Sequence, residues 1–322
     1  MKVIPTAAVL GAEIAGVDLS QPLDDATFAA IERAYDEYGV IFFRGQSITP
    51  DQQVKFTRRF GEIEFKIFGE RWSVPDHPEI VVLSNITENG RPTGVRRAGE
   101  NWHSDMCYTA RPPHGTILYA IEIPELHGLP LGDTEFASAA AAWDALPDAM
   151  KHTLEGRRAV FDFRRRKRAL TPTQVEIDRN PPVRHPIVRT HPSTGRKRLY
   201  VMRDDCTAID GMESDEAEAL IAALADHITK PAFVYRHQWR KGDVPEARRG
   251  VEDAVDAGLL HRLPAAAAAA ARPPAFPSRP ARGRHPRAPW RARPYLMRRR
   301  LSSPSASCAT PRAAWLQAAP VD

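Results

Sequence analysis

The amino-acid sequence changes character at Val244, and this change limits which part of the chain can build an ordinary hydrophobic core. Residues 245–322 are dominated by Ala, Arg and Pro and contain no Lys, Asn or Ile. Frequent proline and missing hydrophobic periodicity predict that this tail is largely disordered, apart from a short helix over 249–263. We therefore expect the folded domain to comprise residues 1–244.

The formal net charge of +5 is unevenly distributed along the chain. The tail contains 14 Arg and five acidic residues, so it carries +9 and leaves −4 for residues 1–244. A basic segment can indicate nucleic-acid binding, but this one lacks Lys and regularly interleaved aromatic residues, so nucleic acid is the least favoured partner. Ala, Arg, Pro and Gly also have GC-rich codons, so a frameshift or an erroneous gene model would produce the same composition.

The remaining composition points to a cytoplasmic protein. No run of about 18 apolar residues exists, so we expect no membrane span. The N-terminus lacks the charged and apolar regions of a signal peptide. Cys107, Cys206 and Cys308 are far apart and odd in number, which suits a reduced protein without a disulfide framework. The sequence is compatible with a homo-oligomer but does not determine the oligomeric state.

Residues 1–244 alternate between helical and strand patterns, which predicts a β-core decorated by helices. Apolar spacing and capping residues predict helices within 24–39, 49–61, 137–156 and 214–229. Apolar and β-branched runs predict strands within 11–20, 40–45, 79–86, 115–123 and 232–244, and a hairpin over 187–201.

The tetrapeptide WHSD places His103 and Asp105 two positions apart. On a strand, such residues point to the same face, so both side chains could reach one metal ion. Two His and one carboxylate leave three open positions on an octahedral ion, as in non-heme Fe(II) oxygenases. A chain of this length should contain about one His-x-Asp by chance, so the dipeptide alone would more often be a surface His beside a turn Asp.

The wider sequence resembles the taurine and 2,4-dichlorophenoxyacetate dioxygenase (TauD/TfdA) family from about residue 8 to Val244. The segments that carry this resemblance are LGAEIAGVDLSQPL, GVIFFRGQSITPDQQVKFTRRFG, NWHSD, ARPPHGTILYA, LPLGDTEFASAAAAWDALP, HPIVRTHPSTGRKRLYV and HITKPAFVYRHQWRKGD. They occur in the family's order and at compatible spacing.

The resemblance implies a double-stranded β-helix, or jelly roll, with Fe(II) and 2-oxoglutarate as cofactor and co-substrate. It implies that His103 and Asp105 are the first two iron ligands, and that the hydroxyl of Thr134 contacts the 2-oxoglutarate carboxylate. Thr134 could alternatively be a turn residue in Gly-Asp-Thr. The implied reaction uses O2 to hydroxylate a small carboxylate or sulfonate while 2-oxoglutarate becomes succinate and CO2.

The resemblance stops before the second half of the implied site. After the Gly242–Asp243 turn, the family continues into a strand with a Trp-Asp-Asn sequence, a second iron histidine and an arginine that binds 2-oxoglutarate. Here the chain continues as PEARRGVEDAVDA. His261 is a weak candidate for the third ligand, since it falls about seven residues late and on the predicted helix. The implied enzyme is therefore impaired, and the alternative is a non-catalytic remnant.

Two further expectations follow from the resemblance. The missing segment would supply the last barrel strands, so neighbouring strands should expose unpaired backbone groups. Residues near the motif should have structural roles. We expect Asn101 and Trp102 either to support the ligands or to be packing residues, and Cys107 to be a small buried residue. The histidines assigned to packing or hydrogen bonding are His114, His185, His191 and His237.

Overall fold

The computed structural model describes residues 1–63, 72–96, 99–166, 171–248, 259–262 and 312–318. Its helices are α1 Asp25–Tyr38, α2 Pro50–Arg58, α3 Ala139–Asp144, α4 Asp148–Leu154, α5 Gln174–Arg179 and α6 Ser214–Ile228. The strands before residue 140 are β1 Lys2–Pro5, β2 Ala12–Ala15, β3 Val40–Phe43, β4 Ser73–Val74, β5 His77–Leu83, β6 Thr87–Glu88, β7 Arg91–Pro92, β8 Gly115–Glu122, β9 Glu125–Leu126, β10 Leu129–Pro130 and β11 Thr134–Ser138. The later strands are β12 Arg158–Phe161, β13 Val183–Pro186, β14 Val188–Thr190, β15 Lys197–Leu199, β16 Cys206–Ile209, β17 Val234–His237, β18 Val244–Arg248, β19 Leu259–Arg262 and β20 Arg312–Ala318.

Strands dominate the architecture, with helices packed around them. The largest sheet has the order β1-β2-β3-β18-β8-β20-β5-β4, and two three-stranded sheets have the orders β17-β11-β19 and β13-β12-β16. Strands β14 and β15 form the predicted hairpin. The strands of the described ranges form open sheets and no closed barrel. In the same part of the chain, no helix has the length and apolar content needed to cross a membrane.

The first helices form as the sequence predicts. The Asp24 side chain caps α1 by accepting from the Thr27 amide, and Gly39 ends the helix at φ 69°, where glycine is favoured. Helix α1 buries Phe28, Ile31 and other apolar residues in a core that includes strand β3. Helix α2 begins with a reciprocal capping box between Thr49 and Gln52. The predicted helices within 24–39 and 49–61 are confirmed.

Two later helices differ from the prediction in detail. The segment 137–156 forms α3 and α4 rather than one helix, and Pro147 occupies the N-cap position of α4. Proline cannot donate the backbone hydrogen bond that would continue α3. In α6, Ser214 is the first helical residue, while Glu213 is the N-cap and makes no side-chain capping bond.

Strand β18 occupies the middle of the largest sheet, where it pairs with β3 and β8. The expectation that strands next to the missing segment would expose unpaired backbone groups is therefore wrong where β3 and β8 pair with β18. Every residue has a backbone carbonyl that accepts, and every residue except proline has an N–H that donates, so a segment with an unrelated sequence can complete a ladder. Strand β20 similarly lies between β8 and β5.

The tail prediction can be compared with the structure over short segments only. Residues 259–262 form strand β19, which pairs with β11, so the helix predicted over 249–263 is wrong there. Pairing with a neighbouring strand overrides the weak local preference of GLLHRL for helix. Residues 249–258, 263–311 and 319–322 lie outside the described residues.

The side chains of β18 are poorly suited to its position. Pro245 has no N–H to donate, although it lies within a strand that has a partner on both sides. Glu246 is fully buried. Burial and the nearby Glu32 carboxylate raise the pKa of Glu246 well above its usual value, while the Tyr35 hydroxyl acts in the opposite direction. A buried carboxyl group of this kind costs folding free energy.

Candidate metal centre

The WHSD motif lies at the start of a turn rather than on a regular strand. His103 forms an isolated bridge, and Asp105 begins a turn that extends to Tyr108. Strand alternation is therefore not what brings His103 and Asp105 to the same side. Met106 adopts a φ of 48°, in the left-handed region that non-glycine residues seldom occupy. The amide and hydroxyl of Thr109 both donate to the Met106 carbonyl, at 2.9 and 2.8 Å, and hold this turn.

The His103 ring is oriented by a backbone carbonyl. Its Nδ1 lies 2.7 Å from the carbonyl oxygen of Asn101. A carbonyl can only accept, so Nδ1 carries the hydrogen, and in the neutral ring Nε2 presents a lone pair. The backbone of Asn101 thus holds the His103 ring, whatever the side chain at position 101. Trp102 packs against the largest hydrophobic core.

The two candidate ligand atoms face each other. His103 Nε2 lies 3.0 Å from Asp105 Oδ1, and both side chains are buried. Two lone pairs at this distance require a proton or a cation between or beside them. Ligands in neighbouring octahedral positions, each about 2.1 Å from the ion, lie roughly 3.0 Å apart. The pair therefore fits two adjacent positions around one divalent metal ion.

Asp105 is held by a residue that the sequence did not reveal. The Thr116 hydroxyl on β8 donates to Asp105 Oδ2 at 3.3 Å, inside the core. Such hydrogen bonds orient metal-binding carboxylates. Thr116 lies within the apolar run GTILYA, where only the fold shows that its hydroxyl faces a carboxylate.

Among the described residues, no third ligand lies beside the pair. Across the described ranges, no group of three His, Cys, Asp or Glu residues has the arrangement of a metal site. His261 lies on β19, where its backbone is opposite Phe136. This position is two residues along β11 from Thr134. The His261 side chain lies outside the described part of the structure.

Thr134 is buried on β11, in a different sheet from Thr116. Its hydroxyl oxygen accepts a hydrogen bond of 2.9 Å from the indole N–H of Trp239. Because indole nitrogen only donates, this bond leaves the hydroxyl hydrogen of Thr134 available to another acceptor. Trp239 lies in the segment YRHQW, where no local pattern predicts this contact.

The prediction that His237 is buried and hydrogen-bonded is confirmed. Its Nδ1 lies 3.0 Å from the Tyr235 hydroxyl, and its Nε2 lies 3.2 Å from Asp243 Oδ2. Arg44 also pairs with Asp243. Burial lowers the pKa of His237. These contacts fix the turn that leads from β17 into β18.

His185 and Cys107 also lie in surroundings that fit a structural role. His185 Nε2 lies 3.0 Å from the Thr109 carbonyl, and burial lowers the pKa of this histidine to about 4. Cys107 is fully buried, as expected.

Comparison with known proteins identifies a family model, "Taurine catabolism dioxygenase TauD, TfdA family", that matches residues 2–244. The chain is 34% identical over 252 residues to the alpha-ketoglutarate-dependent 2,4-dichlorophenoxyacetate dioxygenase of Cupriavidus pinatubonensis, covering 74% of this chain and 86% of that protein. It is 31% identical over 250 residues to the (S)-phenoxypropionate/alpha-ketoglutarate-dioxygenase of Sphingobium herbicidovorans, covering 75% and 84%. The crystal structure of a taurine dioxygenase from Burkholderia xenovorans matches with a TM-score of 0.65 and 31% identity, covering 82% of each chain.

Proposed function

Because the chain belongs to the TauD/TfdA family, whose members are 2-oxoglutarate-dependent dioxygenases that use Fe(II), we propose that its site is built to hydroxylate a small acidic organic molecule. The observation that carries this proposal is the 3.0 Å approach of His103 Nε2 to Asp105 Oδ1 in a buried position. The large sheet and the two smaller sheets support a double-stranded β-helix that is imperfect toward its C-terminal strands.

In this proposal, His103 and Asp105 hold the iron, and the surrounding residues fix their orientation. Fe(II) and 2-oxoglutarate, when bound there, would activate O2: one oxygen atom would enter succinate, the other would enter the hydroxylated product, and CO2 would be released. Asn101 keeps the His103 Nε2 lone pair available, and Thr116 holds the Asp105 carboxylate. Thr134, which accepts from Trp239, can donate its hydroxyl hydrogen to the 2-oxoglutarate carboxylate.

The names of related proteins support the proposed substrate class. Their names specify a phenoxyacetate, a phenoxypropionate and taurine. The first two are carboxylates and taurine is a sulfonate. We propose a small carboxylate or sulfonate for this chain, with O2 as the second small-molecule partner.

We also propose that the chain as written is an impaired member of the family. The family match ends at residue 244, and the next two positions are Pro245 and the buried Glu246 of β18. A site with two protein ligands binds divalent metal more weakly than one with three. These observations also favour the second candidate, a non-catalytic remnant that keeps the fold without the turnover.

Anaerobic calorimetric titration with Fe(II) tests the site. We expect a dissociation constant weaker than micromolar, and loss of binding in His103→Ala and Asp105→Ala. His152→Ala is the matched control, because this exposed histidine lies on α4 and bonds to the Asp148 carbonyl of its own helix. Binding that is indifferent to His103→Ala would refute the iron assignment. Micromolar or tighter binding would instead mean that a third ligand exists. His261→Ala would then test whether His261 is that ligand.

A further inference from the structure

Arg166 and Asp205 form a buried ion pair next to the candidate metal centre. Arg166 follows β12, and Asp205 directly precedes β16, which pairs with β12. The Arg166 Nε lies 2.9 Å from Asp205 Oδ1 and 3.1 Å from Oδ2, and its Nη2 lies 2.5 Å from Oδ2. Asp205 is fully buried, and the Arg166 side chain is 13% exposed. The guanidinium is therefore fixed by a forked contact with the carboxylate.

The same guanidinium contacts the WHSD turn. Arg166 Nη2 donates to the carbonyl of Ser104 at 3.1 Å and lies 3.5 Å from Cys107 Sγ. Ser104 is the residue between the two candidate ligands, and it is fully buried. Its carbonyl orientation sets the backbone from which both ligand side chains project. The family resemblance did not identify Arg166 or Asp205, and the sequence gives no local signal that they meet.

We propose that Arg166 is a positioning residue that holds the Ser104 carbonyl and thereby fixes His103 relative to Asp105. This inference rests on the proposed function of the His103–Asp105 pair. Asp205 would act through Arg166, since it fixes the plane of the guanidinium. The strained φ of Met106 is a reason why the turn needs such a contact, because a sparsely populated backbone conformation persists only where its surroundings impose it.

A neighbouring ion pair provides a matched control. Arg164 binds Asp162 with Nε distances of 2.9 and 3.1 Å and an Nη2 distance of 2.5 Å, the same forked arrangement. The Arg164 side chain, however, is 58% exposed. A substitution at Arg164 therefore removes an equivalent pair, two residues away, without removing the contact to Ser104.

The test measures Mn(II) binding to the full-length chain by the electron paramagnetic resonance signal of free Mn(II). We expect Arg166→Gln to raise the Kd at least about tenfold, as loss of a residue that orients metal ligands typically does, and Arg164→Gln to leave it unchanged. Circular dichroism confirms that each variant is folded, and thermal unfolding reports its stability separately. If both variants lose stability while neither changes the Kd, Arg166 is merely structural and the inference is overturned.

Hydrogen exchange separates this inference from the proposed function. If the wild-type chain binds no Mn(II), or if His103→Ala does not alter binding, the proposed function fails, and exchange in residues 102–108 becomes the deciding measurement. We then expect faster exchange there in Arg166→Gln than in Arg164→Gln. Equal protection in the two variants would overturn the positioning role.

Discussion

Strand β18 joins two regions of the chain that differ in how well their side chains match their surroundings. Val244, the last residue of the family match, is apolar and fully buried. Pro245 and Glu246 come next in the same strand. Pro245 has no N–H to donate to a neighbouring strand, and Glu246 buries a carboxyl group. Backbone pairing thus continues across a boundary at which side-chain compatibility ends.

The region before the boundary shows the opposite behaviour. Strand β8 buries Ile117 and Ala120, as its apolar run requires. Helix α1 is capped at both ends by residues suited to those positions, Asp24 and Gly39. Agreement between local sequence and environment is typical of sequences selected to fold. A completed hydrogen-bond ladder therefore does not by itself identify a strand as an evolved part of the fold.

The largest expected effect comes from replacing the mismatched region. We expect that exchanging residues 245–322 for the C-terminal segment of the 2,4-dichlorophenoxyacetate dioxygenase relative will restore iron binding and succinate formation. The unmodified chain should form no coupled succinate above background. Restored turnover should reach the range of ordinary enzymes, on the order of 1–10 per second. Succinate is measured with a panel of small carboxylates and sulfonates.

Variants of the exchanged chain serve as controls. His103→Ala or Asp105→Ala should abolish its turnover, whereas Cys107→Ser should largely preserve it. Robust turnover by the unmodified chain would contradict the impaired interpretation. An exchanged chain indifferent to His103→Ala would contradict the iron assignment.

The second prediction tests the buried carboxyl group directly. Glu246→Leu should increase the free energy of unfolding by about 2–4 kcal/mol at pH 7, since it replaces a buried ionisable group by an apolar side chain of similar size. Urea denaturation provides the measurement. Glu62→Leu is the matched control at an exposed position, where we expect a change within about 0.5 kcal/mol. Destabilisation by Glu246→Leu would show that the carboxyl group is well accommodated.

The third prediction concerns pH. The folded-state pKa of Glu246 is raised above the ordinary value of 4.5, so the native state holds a proton that the unfolded state releases. The contribution of this protonation to the free energy of unfolding is fully present below about pH 4.5. It is lost as the pH rises through the folded-state pKa of Glu246. Relative to Glu246→Gln, the wild-type chain should therefore lose stability with increasing pH, by up to about 1.4 kcal/mol per pH unit. Urea denaturation of both proteins from pH 4 to 8 measures this difference, and parallel curves would contradict it.

The difference between the two regions also explains what the sequence could predict. Local signals were sufficient for α1, α2 and the β14–β15 hairpin, because caps, apolar spacing and turn residues act over a few positions. They were insufficient for β18 and β19, whose strand conformation depends on partners far away in the chain. In the site, the WHSD spacing predicted that two side chains could bind one metal ion. In the structure, His103 Nε2 lies 3.0 Å from Asp105 Oδ1. Thr116, Trp239 and Arg166 could not be inferred, since each meets its partner only through tertiary folding.

The smallest expected effect isolates the backbone contribution at the boundary. Pro245 lies opposite Phe42 of β3. On the β8 side, Glu246 pairs with Ile117, and the Asp243 carbonyl accepts from the Ala120 amide. Pro245→Val would restore a backbone N–H and place a β-branched residue in a buried strand. We expect a gain in the free energy of unfolding of about 1 kcal/mol, the net value of one hydrogen bond.

The matched control is Pro92→Val on the exposed strand β7, where the change should stay within about 0.5 kcal/mol. Equal effects at both positions would mean that the chain tolerates proline in β18 as well as at its surface. If only Pro245→Val raises the free energy of unfolding, the mismatch between side chain and sheet begins at the first residue after the family match.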